Sequence, residues 1–188
     1  MPIMVGTVFL VVGASGVGKD SLLDAARAAL PEIEFVRRYI TRAADSVGED
    51  HIEVTPLEFE RMAESGEFCV WWRAHELGYG IHRSVRDQVR AETDVVINTS
   101  RGSIADFERA FERVITIHVT ATPENLRERL LARSRETPEQ IDARLARPAP
   151  ALRANQLVEI SNDGDIRLAV ASLIDVLRHS SRRPATAS

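Results

Sequence analysis

The sequence predicts an α/β fold: a parallel sheet covered by helices on both faces. Three observations predict it. Short apolar, β-rich runs alternate with helical patterns along most of the chain, which implies right-handed crossovers between parallel strands. A glycine-rich turn, G-A-S-G-V-G-K-D-S (Gly13 to Ser21), joins the first such run to the first helix. The 188 residues, 44% hydrophobic and 28% charged, suffice for one well-cored domain.

Each element has a local reason. T-V-F-L-V-V (Thr7 to Val12) is a continuous apolar run suited to a buried strand, and the helix Lys19 to Leu30 after it ends at Pro31. E-F-V-R-R-Y-I (Glu34 to Ile40) is a second strand. Thr55-Pro56-Leu57-Glu58 pairs Pro at the first helical position with a Thr/Glu capping box, and Gly66 stops the helix they open. D-V-V-I-N (from Asp94), V-I-T-I-H-V-T (from Val114) and L-V-E-I-S (from Leu157) supply further strands. Helices are expected near Ile104 to Glu112, Pro123 to Arg133, Pro138 to Arg147 and Ile166 to His179, the third with a Thr137/Gln140 capping box. Ligands bind such sheets beyond the carboxyl ends of the strands, so the loops after Val12, Ile40, Asn98 and Thr120 are where chemistry is expected.

The bulk composition excludes several classes. The net charge of −4 and the lack of a basic tract argue against a nucleic-acid partner. No apolar run approaches the roughly 20 residues that span a bilayer. Cys69, the single cysteine, rules out an internal disulfide framework and suits a reducing cytoplasm. Small-molecule substrates, no membrane, and a monomer or homodimer are the expected partnerships.

The turn after the first strand nearly matches the phosphate loop G-x-x-x-x-G-K-[ST]. Gly13, Gly16 and Gly18 let the backbone of Ala14, Ser15 and Val17 curl so that its N–H groups face phosphate oxygens. The helix beginning near Lys19 adds its positive end, and Lys19 itself is a mobile point charge for β and γ phosphates. Asp20 stands where Ser or Thr belongs. One reading is a damaged loop. The other has Asp20 facing Mg²⁺ while Ser21 supplies the hydroxyl, and the intact lysine and glycines favour it.

R-Y-I-T-R, G-E-D-H-I-E-V-T-P-L-E-F and G-E-F-C-V-W-W-R-A-H-E-L-G-Y-G-I follow in order. With the phosphate loop they resemble the guanylate-kinase group over roughly Val5 to Leu177. The resemblance implies a P-loop kinase fold, with an acceptor-binding excursion at about 36–83 and a helical lid at about 133–150 of a single domain spanning 1–181, then a flexible tail at 182–188. It implies ATP as co-substrate, Mg²⁺ as cofactor, and acceptor-phosphate contacts from Thr41, Arg42 and Tyr79. It also departs from that group. Val70 stands where a glutamate grips guanine, His82 where a serine contacts the acceptor, and Asp45 where a second arginine falls. A site built to hydrogen-bond a purine would lose its partner with valine there.

G-K-D-S-L-L, R-Y-I-T-R, E-D-H-I, W-x-A-x-x-L-x-Y-G, R-x-R-E and I-D-A-R-L-A-R are similar to another branch, the ribose 1,5-bisphosphate phosphokinases. Gly-Lys-Asp-Ser is that family's own version of the loop. The implied reaction transfers phosphate from ATP to α-D-ribose 1,5-bisphosphate, giving 5-phospho-α-D-ribose 1-diphosphate (PRPP), with a place in phosphonate breakdown. Pro148 and Pro150 after I-D-A-R-L-A-R depart from the pattern.

The lid would carry further positive charge. Arg133, Arg135, Arg144 and Arg147 lie on a helix–turn–helix without matching acids, so Arg133, Arg135 and Arg144 join Lys19 as catalytic candidates and Arg147 joins the acceptor set. Arg127 and Arg129, interleaved with Glu124 and Glu128, read as a solvated helix face. Tyr39, Asn98 and Arg101, at strand ends, complete the acceptor candidates, with Arg38 undecided. His51, His75 and His82 lack metal-ligand spacing. Trp71 and Trp72 suit core and cleft wall, and Asn162 and Asp163 suit either an adenine-side loop or a helix cap.

Overall fold

A computed structural model describes residues 5–42, 50–133, 136–147 and 151–180. Five parallel strands form the main sheet in the order β2-β7-β1-β8-β9. They are β1 (Val8–Gly13), β2 (Glu34–Phe35), β7 (Val95–Asn98), β8 (Val114–Thr120) and β9 (Leu157–Ser161). β1 lies in the middle because all five of its leading residues, Val8 to Val12, are apolar, and each is fully buried.

Alternation along β1 divides the core. Phe9 and Val11 face α1 (Lys19–Ala29) and α7 (Ile166–Ser180), packing with Leu22, Ala26 and Leu173. Val8, Leu10 and Val12 face the opposite way, toward α3 (Ser84–Arg90), α4 (Ile104–Ala110) and a second sheet. That second sheet runs β4-β3-β6-β5, from β3 (Tyr39–Ile40), β4 (Ile52–Glu53), β5 (Phe68–Ala74) and β6 (Leu77–His82). It falls within the excursion expected at about 36–83. α2 (Pro56–Glu64) covers its outer face through Phe59 and Met62, with the Thr55/Glu58 capping box formed as expected.

The stretch Glu34 to Ile40, expected as one strand, is two. β2 pairs in parallel with β7, whereas β3 pairs antiparallel with β6, so the chain leaves one sheet for the other between Val36 and Arg38. The β5–β6 hairpin went unforeseen because its turn is His75-Glu76, both at positive φ (50° and 64°), where Asn-Gly would have announced it. α5 (Pro123–Ala132) and α6 (Pro138–Leu145) form a helix pair around the start of the stretch expected as a lid, and both begin as the sequence predicts, at proline. Among the described residues, no helix is long and apolar enough to cross a membrane. Asp45, Arg135, Pro148, Pro150 and the tail at 182–188 lie outside the described residues.

Candidate active site

The phosphate loop emerges from β1 at the carboxyl end of the main sheet and runs straight into α1. Gly16 and Gly18 sit at φ 85° and 95°, a region that side chains rarely enter, and Gly18 caps α1. Lys19 Nζ donates to the carbonyls of Gly13 (2.7 Å) and Ala14 (3.2 Å), so the ammonium lies across the mouth of the loop. The loop is braced from below. The buried amide of Asn162 donates to the Val17 carbonyl at 2.8 Å, and Arg129 donates to the same carbonyl at 3.2 Å and also to the Asn162 carbonyl.

Arg129 is therefore not the solvated residue its neighbours suggested. It turns inward from α5 to the loop, while Glu124 and Glu128 stay exposed. Asn162 is no helix cap either. That task falls to Asp165, which receives the Arg167 N–H. Asp163 ties the last loop to the start of α5, accepting from Asn125 Nδ2 (2.8 Å) and the Thr122 N–H (2.6 Å). These bonds, that from Asn125 first, hold its carboxyl down to about 2.

The two residues read as metal ligands separate. Asp20 accepts from Asn98 Nδ2 at 3.3 Å and so faces the end of β7, whereas Ser21, one helical step further round, is exposed. A hard oxygen donor at the first turn of α1, oriented by an amide and beside the loop, fits Mg²⁺. Asp20 fits; Ser21 is turned to solvent. Asn98 thus supports Asp20 from the same face as Phe9 and Val11, on the α1 side of the sheet.

On the acceptor side, Tyr79 lies parallel to Trp72, their rings 5.4 Å apart at 7°. The Arg38 guanidinium rests 4.9 Å from the Tyr79 ring centre and 6.0 Å from that of Trp72, and the residue is 8% exposed. Val70, two residues before Trp72 on β5, is buried in the same cluster, so no carboxylate occupies that position. Arg42 brings a second cation; its Nε is buried with no hydrogen-bond partner among the described residues.

Tyr39 does not join them. It pairs with Gly80, which puts it on the other face of the sheet, against Phe68 and the His82 ring. Thr41 is spent on sheet closure, its hydroxyl accepting the Gly78 N–H at 2.9 Å. Trp72 is core, but Trp71 is 45% exposed on the outside, edge-on to Phe59. The three histidines are apart. His51 is buried with Nε2 3.0 Å from the Arg42 carbonyl, His82 contacts Ser84, and His75 is exposed in the hairpin turn. Burial raises the Cys69 thiol to about 11, which leaves it inert.

The lid is docked, with Ile141 of α6 fully buried and Arg127 of α5 gripping Asp142 through Nε (2.6 Å) and Nη2 (3.1 Å). Its arginines do have an acid. Arg144 pairs with Glu136 at 2.9 Å, a partner the sequence reading overlooked because Glu136 sits in the turn between the helices. Arg133 and Arg147 are exposed. Arg101 reaches not into solvent but to His118 on β8, whose other nitrogen meets Glu159 on β9.

A phosphate loop at the end of the central strand, a second sheet carrying cations and aromatics, and a helical lid define a P-loop phosphotransferase of the guanylate-kinase type. The guanylate kinase from Anaplasma phagocytophilum shares this fold, with a TM-score of 0.70 at 19% identity over 97% of this chain and 90% of that one. No family model matches the chain. It is 42% identical over 175 residues to "Ribose 1,5-bisphosphate phosphokinase PhnN" of Pseudomonas paraeruginosa, covering 91% of this chain and 95% of that protein. It is 42% identical over 182 residues to "Bifunctional ribose 1,5-bisphosphokinase-thymidine phosphorylase" of Cupriavidus necator, of which it spans 30% of the length. The chain belongs to the ribose 1,5-bisphosphate phosphokinase family.

Proposed function

We propose that the protein transfers the terminal phosphoryl group of ATP to the 1-phosphate of α-D-ribose 1,5-bisphosphate, giving ADP and 5-phospho-α-D-ribose 1-diphosphate. The observation that carries this reading is the acceptor wall. Arg38 stacks on Tyr79 and Trp72, and buried Val70 stands where a base-reading carboxylate would be needed. A wall that carries a guanidinium and is apolar at position 70 suits a second phosphate better than a purine edge. The named relatives supply the sugar bisphosphate. A place in phosphonate breakdown is proposed on the same kinship.

The chemistry asks for position and positive charge. Loop N–H groups and Lys19 hold the β and γ phosphates of ATP. Arg42, Arg38 and Tyr79 hold the acceptor, and Arg101 faces it from the main sheet. An oxygen of the 1-phosphate, ionised near neutral pH, attacks the γ phosphorus; the bond to the β–γ bridging oxygen breaks, and ADP leaves with that electron pair. No general base is required. Mg²⁺, when bound, neutralises charge on the β and γ oxygens, and Asp20 is the residue to hold it. Arg133, Arg135, Arg144 and Arg147 are assigned to the closing lid, with Arg144 exchanging Glu136 for phosphate.

The test is ADP release with Mg-ATP and each of ribose 1,5-bisphosphate, GMP, AMP and no acceptor. Turnover with the sugar bisphosphate alone, with the diphosphate product identified, is expected. Turnover with GMP instead would overturn the acceptor assignment.

A further inference from the structure

Arg101 and His118 belong to strands that are not neighbours. Arg101 follows β7, His118 lies on β8, and β1 runs between them. His118 is in register with Val12 of β1, and Glu159 of β9 is in register with His118. The register puts His118 and Glu159 on the face of Val8, Leu10 and Val12, the one turned toward the second sheet, while Arg101 lies in the turn that follows β7. Yet Arg101 Nη2 is 2.9 Å from His118 Nε2. The arginine therefore crosses the last turn of β1, at the root of the phosphate loop.

The line of contacts has a single consistent polarity. Arginine carries only donors, so His118 Nε2 must accept and the ring proton must be on Nδ1. Nδ1 lies 3.1 Å from Glu159 Oε1, a carboxylate that accepts it. Arg101 donates to His118, and His118 donates to Glu159. The His118 side chain is 12% exposed and that of Glu159 is 65% exposed, so the acid end lies in water while the imidazole is largely covered.

Among the described residues, Arg101 makes no ion pair, unlike Arg127 and Arg144. It is fixed by a neutral acceptor that leaves its charge undiminished and its remaining N–H groups available. We propose that His118, oriented by Glu159 as the Nδ1–H tautomer, is a positioning residue that holds Arg101 over β1 to receive the acceptor phosphate. This rests on the function proposed above.

The experiment compares His118→Gln, His118→Leu, Arg101→Ala and the Arg101→Ala/His118→Leu double variant, measuring kcat and KM for sugar bisphosphate and for ATP. Glutamine can accept from Arg101 through Oε1 and donate to Glu159 through its amide, so it should stay within about threefold of wild type. Leucine should lower kcat/KM for the sugar bisphosphate by roughly 10- to 100-fold, the scale of a misplaced catalytic group, with the KM for ATP unchanged. The double variant should be no worse than Arg101→Ala alone, because the histidine acts through the arginine. An unchanged acceptor kcat/KM in His118→Leu, an equal loss in His118→Gln, or multiplying losses in the double variant would overturn the proposal. Nitrogen-15 NMR of the imidazole supplies a readout independent of turnover. An Nδ1–H tautomer lost in Arg101→Ala supports the relay, and an Nε2–H tautomer in the wild type sinks it. If wild-type protein ignores the sugar bisphosphate while the NMR signature holds, the functional reading fails and the relay stands.

Discussion

The donor and acceptor sides of the cleft are built by opposite means. The phosphate loop is one continuous segment, Gly13 to Ser21, whose glycine geometry, lysine and helix start follow from nine successive residues. The acceptor wall is assembled from pieces. Arg38 and Arg42 flank β3, Trp72 comes from β5 and Tyr79 from β6, and the wall exists only once those strands pair. A local site can be damaged only in its own residues. An assembled one could change its ligand by a single exchange on one strand without disturbing the other side.

The sharpest way to break this comparison is Lys19→Ala. It should lower kcat by at least about a hundredfold, on the scale of removing a preorganised charge-stabilising group, and leave acceptor binding intact by calorimetry. Turnover within threefold of wild type would void the loop assignment. Val70→Glu places a carboxylate in the buried cluster beside Trp72. Loss of kcat/KM for the sugar bisphosphate by at least about tenfold is expected, since the new acid competes with phosphate for Arg38. If sugar and GMP kinetics both stay unchanged, the acceptor wall has been misassigned.

Asn162→Ala tests the brace beneath the loop. Removing the amide leaves the Val17 carbonyl with Arg129 alone, and the KM for ATP should rise about tenfold, near 1.4 kcal/mol, as the sugar KM holds. Asp163→Asn acts on the neighbouring tie. The Asp163 carboxyl is depressed to about 2 from an ordinary 3.8, so its contribution to stability is present above pH 3.8 and lost as pH falls toward 2. Urea melts of wild type and variant should differ at pH 6 and converge near pH 2; an equal gap at both pH values contradicts the assignment. The smallest effect belongs to Arg127→Ala, which breaks an exposed pair with Asp142. A stability change of no more than about 1 kcal/mol by urea titration is expected.

What was legible in the sequence tracks the range of the interaction. β1, β7, β8, β9 and most of the helices were visible because a continuous apolar run, a helical pattern or a proline and capping box announces each one locally; α3, which opens with neither proline nor capping box, was not foreseen. The break between β2 and β3 was hidden, since whether Val36 continues a strand depends on which sheet lies beside it. The site shows the same division. Lys19 and Asp20 lie where the sequence places them, at the start of α1, but Arg129 was misread as a surface residue because Glu124 and Glu128 offered it sequence-local partners. Tyr39 and Tyr79 looked alike in the sequence, and only the antiparallel register puts them on opposite faces. His118 carries no motif and Glu136 only ends R-x-R-E, and nothing short of the fold brings them to Arg101 and Arg144.

The bond from Asn162 to the Val17 carbonyl joins residues 145 positions apart. During synthesis the glycine loop therefore leaves the ribosome well before the residue that braces it. A nascent chain that has exposed its entire loop still lacks the strut beneath it until β9 and the residue after it emerge. A chain that ends before β9 would carry the glycine loop without this strut, and its hold on a phosphate donor would be the weaker for it.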